Sequence, residues 1–243
     1  MLQRLTTGTR LKRRLRLFGV MALLAFAPLL IAATDPSCQA LTARQEYGVN
    51  IVLQGQSWDE TSLNAVLSAL DRLPSHVVNQ LGSRYQGPLN ILSNPDSQSL
   101  SGARVYSSGA NFFSTNEGVN ELVLYPNQGE QTVLHELGHA YQLRLTPPGK
   151  YAWVFFQEET RDFMRTTGWS LLSSDAEVAA ALDQTQLNFA YDGANVWPVL
   201  SNFDPLEDYA NTFALFFYNP SELQRRSPVR YDWMLRNVAT DTR

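Results

Sequence analysis

The chain has 243 residues, of which 23 are acidic and 19 basic, for a formal net charge of −4 at pH 7. Six of the basic residues and none of the acids fall within residues 1–33, leaving 13 basic against 23 acidic residues beyond that point. A remainder this acidic lacks the electrostatic footprint that nucleic-acid binding needs, and a single cysteine, Cys38, excludes an internal disulfide framework.

Arg4, Arg10, Lys12, Arg13, Arg14 and Arg16 form a basic opening, and Leu17 to Ala33 an uninterrupted apolar run that ends in small residues. This is the layout of a secretory signal peptide cleaved before Thr34, and it predicts an exported protein, periplasmic or secreted. A retained membrane anchor is the alternative, because about 17 apolar residues sit at the lower edge of a bilayer span. Arg13-Arg14 as a twin-arginine signal and Cys38 as a lipidation site both lack the flanking residues those signals require. The chain beyond residue 33 is long enough for one domain with a sizeable core. Residues 34–56 read as a linker and N-terminal segment, and residues 57–243 as that single domain.

Ser57-Trp58-Asp59-Glu60 has the form of a capping box, followed by Leu63, Val66, Leu67, Leu70 and Leu73 at helical spacing up to Pro74. A short helix is expected over His76–Leu81, a strand over Pro88–Leu92, and a turn at Asn94-Pro95-Asp96. Within the Ser-, Gly- and Asn-rich residues 97–118 a strand is expected at Ala103–Tyr106. Asn120–Tyr125 is the best strand pattern in the chain, and Gly129–Leu145 a strong helix halted by Pro147-Pro148-Gly149. Then come helices over Trp153–Thr167, stopped by Gly168, and over Asp175–Leu187, with irregular chain over residues 188–203. Asp204-Pro205 opens a helix to Tyr218; Ser221–Arg226 adds a turn, and Tyr231–Val238 a last helix. Strands early and helices late predict an α+β fold with one modest sheet.

Inside the helix over Gly129–Leu145 stands His135-Glu136-Leu137-Gly138-His139, which uses two of the chain's three histidines. Residues four apart share a helix face, so His135 and His139 can hold one zinc ion between them. Glu136 is then adjacent to the ion without ligating it, placed to take a proton from water activated by the metal. Gly138 costs about 1 kcal/mol in a helix interior relative to alanine; close packing or room for substrate would explain it.

Catalytic zinc takes three protein ligands as a rule. No histidine follows at the metzincin spacing, and His76, before the sheet, reads as a core or surface residue. A later carboxylate is the better candidate. In the helix opened by Asp204, Leu206, Tyr209, Phe213 and Phe217 make the core stripe. Glu207 lies on another face with Ala210, Asn211 and Ala214, small residues that would let this helix approach the motif helix. Two alternatives stay open at this point: Glu207 as the far half of an Asp204 capping box, and Asp208 as the ligand.

Together, His135-Glu136-Leu137-Gly138-His139 and Glu207-Asp208-Tyr209-Ala210-Asn211 resemble the gluzincin zinc peptidases, in particular those of the anthrax lethal factor type. The segment Pro228-Val229-Arg230-Tyr231 is similar to one near the end of those relatives. The resemblance covers roughly residues 120–236 and is specific only at the two motifs. It implies a zincin-like α+β fold with a small mixed sheet on the motif helix and a mainly helical C-terminal half. It also implies one Zn2+ held by His135, His139 and Glu207. A tyrosine before the glutamate helix serves the oxyanion in those proteins; Tyr191 is the expected match, with Tyr209 and Tyr231 as alternatives. One position departs from the pattern: four residues after the ligand glutamate stands Asn211 in place of an acid.

The expected function is therefore that of an exported zinc-dependent metallohydrolase, a peptidase with Glu136 as general base and a peptide or protein as substrate. The strand over residues 120–126 is expected to take an extended peptide by edge pairing. A membrane partner is expected only if the N-terminal segment is retained. The alternative is a zincin-like binding module that keeps zinc for structure, for which Asn211 is the main hint and the intact Glu136 the main objection.

Overall fold

The computed structural model describes residues 47–53, 58–81, 88–93, 110–114, 120–147, 149–182, 184–192 and 204–240, all within the unit Thr34–Arg243. The expected signal segment over residues 1–33, Ser57, the turn at Asn94-Pro95-Asp96 and the strand expected at Ala103–Tyr106 lie outside the described residues. No helix among the described residues is long and apolar enough to cross a membrane.

Strand β1 (Asn50–Ile51) precedes helix α1 (Glu60–Arg72). That helix starts on Asp59, whose carboxylate accepts from the Ser62 N–H at 2.8 Å, so its cap is Asp59 where the pattern predicted Ser57. Leu63, Val66 and Leu70 are buried as expected, while Leu67 is only half-buried. Helix α2 is a single turn, Ser75–Val78, that begins on Pro74 and is shorter than His76–Leu81.

Strands β2 (Leu89–Ser93), β3 (Ala110–Ser114) and β4 (Asn120–Leu124) complete a sheet of order β1-β2-β4-β3. β1 and β2 run parallel, β2 and β4 parallel, and β3 antiparallel to β4. The alternation of a half-buried strand works as physics requires: Leu122 and Leu124 join the main core, whereas Val123 and Tyr125 join Leu92 on the opposite face. Because β4 is paired on both sides, it cannot offer the free edge expected of residues 120–126. Among the described residues β3 holds the outer position on that side.

A tight turn carries the chain from β4 into helix α3 (Glu130–Leu143), which contains the histidine motif. Asn127 takes φ 62° there, and the start of α1 clamps the turn: Asn127 N–H donates to Asp59 and Gln128 N–H to Ser62. The helix expected over Trp153–Thr167 is two elements. Tyr151–Phe156 is a 3-10 turn, aromatic and poor in strong helix formers, and Gln157 is extended before α4 (Glu158–Thr167). Gly168 ends α4 at φ 93°, as expected.

Next, β5 (Trp169–Leu171) pairs antiparallel with β6 (Phe189–Tyr191), the latter a strand in chain expected to be irregular. Between them α5 spans only Asp175–Ala180, capped by a Ser174–Glu177 box. Helix α6 (Pro205–Tyr218) opens on Asp204 as expected, and α7 (Pro220–Arg226) and α8 (Pro228–Met234) follow, the latter passing into a π-turn over Leu235–Ala239. The fold is α+β with a small, largely parallel sheet. Its main core joins the sheet to α1, α3 and α6, and a second cluster lies beneath the β5–β6 hairpin.

Candidate metal centre

Helix α6 crosses α3 with almost no gap at Gly138. A Cβ at that position would stand 3.1 Å from the Ala210 Cα, 3.1 Å from the Phe213 Cβ and 3.3 Å from its Cδ1. Glycine here serves the close approach of two helices, the first of the two explanations its sequence position allowed. The crossing lays the first turns of α6 over the motif histidines.

His135, His139 and Glu207 converge there as the one group among the described residues with metal-ligating geometry. The His135 and His139 Nε2 atoms are 3.2 Å apart. Glu207 straddles them, Oε2 at 3.3 Å from the His135 Nε2 and Oε1 at 3.4 Å from the His139 Nε2. Four ligands set tetrahedrally at about 2.0–2.1 Å from a centre are about 3.3–3.4 Å from one another. The three contacts therefore have the length of a zinc polyhedron's edges, with the two to Glu207 made by different oxygens. Taking one atom from each residue, all three lie within 4.8 Å. Two imidazoles and a carboxylate suit zinc chemically as well.

A second layer orients the first. The His135 Nδ1–H donates to the Asn211 Oδ1 at 3.0 Å. An amide oxygen can only accept, so the contact puts the proton on Nδ1 and turns the lone pair of Nε2 toward the site. Asn211 thus takes the orienting role without the charge of an acid.

Without a metal, two nitrogen lone pairs at 3.2 Å need a proton between them. Burial pushes the His139 pKa down, but the hydrogen bond and charge of Glu207 outweigh it, helped by Glu136 and Asp204, and raise it to about 8. Glu207 responds inversely: burial would raise its pKa, and His135 and His139 hold it far below the usual carboxylate range. Glu136 is buried, and its charge is one of those felt by His139.

The alternatives that the sequence left open separate cleanly. Asp204 caps α6 by accepting from the Leu206 and Glu207 N–H groups, while the Glu207 side chain faces the histidines. Asp208 is fully buried in an ion pair with Arg230 and lies outside the convergent group. His76 donates from Nε2 to the Val238 carbonyl at 2.8 Å, outside the group. The Tyr191 oxygen accepts from Arg230 at 3.2 Å. Tyr209 is fully buried with its hydroxyl on Glu159, and Tyr231 stacks on Phe216. Sequence reasoning missed Arg230 and Trp169 as partners of Asp208; the one signal for Arg230 was its place in the Pro228–Tyr231 segment.

No protein-family model matches this sequence, and no curated protein is detectably similar to it.

Proposed function

We propose that this chain is an exported, zinc-dependent metallohydrolase of gluzincin type, with a zincin-like fold, that cleaves peptide bonds. The observation that carries the reading is the convergence of His135, His139 and Glu207, one ligand atom from each lying within 4.8 Å of the others, beside the buried carboxylate of Glu136. Zinc bound by these three residues supplies Lewis acidity, polarising a carbonyl and bringing the pKa of water toward about 7.

The chain's own residues do the rest. Glu136 takes a proton from the attacking water as its oxygen bonds to the carbonyl carbon, then returns it to the nitrogen as the C–N bond breaks. Asn211 keeps His135 in the tautomer that turns Nε2 inward. Strand β3 lies against α3 at the rim of the sheet, and an extended peptide adds to that strand by main-chain pairing. Tyr191 is the expected donor to the oxyanion. Export rests on the layout of residues 1–33. A purely structural zinc site has no use for a buried carboxylate next to its ligands, which favours a hydrolase over a binding module.

The test is cleavage of a generic peptide library by the purified protein, with and without chelator, beside Glu136→Gln. Chelator-sensitive cleavage that disappears in the variant while zinc stays bound is the expected result; general-base assistance is typically worth about 10²–10⁴-fold. Cleavage indifferent to chelator, or equal in the variant, removes this mechanism.

A further inference from the structure

The most deeply buried charges among the described residues form a knot directly beside the zinc-ligand candidate. Asp208 and Arg230 both have fully buried side chains. The Asp208 carboxylate accepts from Arg230 Nε at 2.9 Å and Nη2 at 2.6 Å, from Trp169 Nε1 at 2.8 Å and from Thr212 Oγ1 at 3.3 Å. Arg230 also donates to Ser227 Oγ at 3.1 Å and to the Tyr191 oxygen at 3.2 Å. One carboxylate on the first turns of α6 is thus gripped by α8 and β5, and through the same guanidinium by β6.

Such a pair is costly to bury, and apolar residues of similar volume often stabilise a fold as well or better. What an apolar contact does not give is direction. Adjacent helix residues project about 100° apart, so fixing Asp208 toward α8 fixes the azimuth of Glu207 toward α3. Cα atoms lie about 2.3 Å from the helix axis and a glutamate carboxylate several ångströms beyond, so a rotation of about 10° moves it by about 1 Å. A zinc site tolerates errors of about 0.2 Å in its ligand distances.

We infer that Asp208 and Arg230 are positioning residues, a buried bidentate pair that sets the rotation of the first turn of α6 and so holds Glu207 on His135 and His139. The inference rests on the zinc-site reading and adds to it a second requirement for binding the metal. Arginine's planar fork is what the pair needs, so lysine, with the same charge and no fork, should not replace it.

The experiment uses the full chain and reads zinc affinity by chelator competition, the visible spectrum of the cobalt(II)-substituted protein, and thermal melting without metal. Arg230→Lys and Asp208→Asn are compared with Leu70→Ala, a truncation of the main core on α1. Both pair variants should lose about 10–100-fold in zinc affinity, the range for losing an outer-shell partner, and should show an altered cobalt spectrum. Leu70→Ala should melt lower yet bind both metals as the parent does. Should Arg230→Lys fail to fold, Asp208→Asn decides alone, since it preserves shape. Pair variants that melt lower but keep parental affinity and spectrum would make the knot purely structural. A parent protein that binds neither zinc nor cobalt overturns the zinc-site reading itself, a result distinct from the first.

Discussion

Replacing Gly138 by alanine sets two calculable effects against each other. Alanine is favoured over glycine in a helix interior by about 1 kcal/mol. Against that, the new methyl would lie 3.1 Å from the Ala210 Cα and the Phe213 Cβ, where ordinary carbon contacts are about 3.5–4.0 Å. Ala210 offers backbone at that point, so relief requires α6 to move outward by about half an ångström. Overpacking of this kind costs about 1–3 kcal/mol, so the net change runs from near neutral to a loss of about 2 kcal/mol. Zinc binding should suffer more than stability. Asn211 follows Ala210 directly and Glu207 precedes it by three residues, and a shift of that size exceeds the roughly 0.2 Å tolerance of ligand distances. The assay is a metal-free thermal melt paired with zinc affinity by chelator competition. A variant stabilised by about 1 kcal/mol that binds zinc as tightly as the parent would refute the close-approach argument.

Asn211→Asp should raise zinc affinity and Asn211→Ala should lower it by about 10–100-fold, read by the same competition; equal affinities would mean that the contact to His135 does not orient it. Zinc and a proton compete for His139, so affinity should fall by up to about tenfold per pH unit below about 8; a flat profile between about pH 6 and 9 would contradict this. In the protein without metal, the His139 pKa of about 8 lies above its ordinary 6.5. Its stabilising contribution, at most about 2 kcal/mol, is therefore full below about pH 6.5 and lost as pH rises through 8. Melting temperatures across that window check the sign.

The parts of the site carried by local spacing were legible in the sequence. His135 and His139 share a face because they are four apart, and Glu207, Ala210 and Asn211 share one for the same reason. These periodicities come together once α6 crosses α3 at Gly138. Spacing alone could not choose between Glu207 and Asp208, since neighbouring helix residues differ only in azimuth and the azimuth is set by Arg230, 22 residues beyond Asp208. Sheet order was equally hidden: nothing local in Asn120–Leu124 shows that it is paired on both sides, or that Ala110–Ser114 lies outside it. β5 and β6 have three residues each, too few for a period of two to register. Ser57 and Asp59 are both good caps two residues apart, and the contacts Asp59 makes with Ser62 and Asn127 are seen only in three dimensions.

The zinc-ligand set is decided by metal analysis of the protein and of Glu207→Ala, after loading with zinc and removal of the excess. The parent should hold about one zinc per chain, and Glu207→Ala should have a weakened site that loses the ion to a chelator the parent resists. Asp208→Ala, if it folds, should retain more zinc than Glu207→Ala, because it loses only the positioning of a ligand that is still present. A parent that holds no zinc, or a Glu207→Ala protein that holds it as tightly as the parent while Asp208→Ala does not, would contradict a site built from His135, His139 and Glu207.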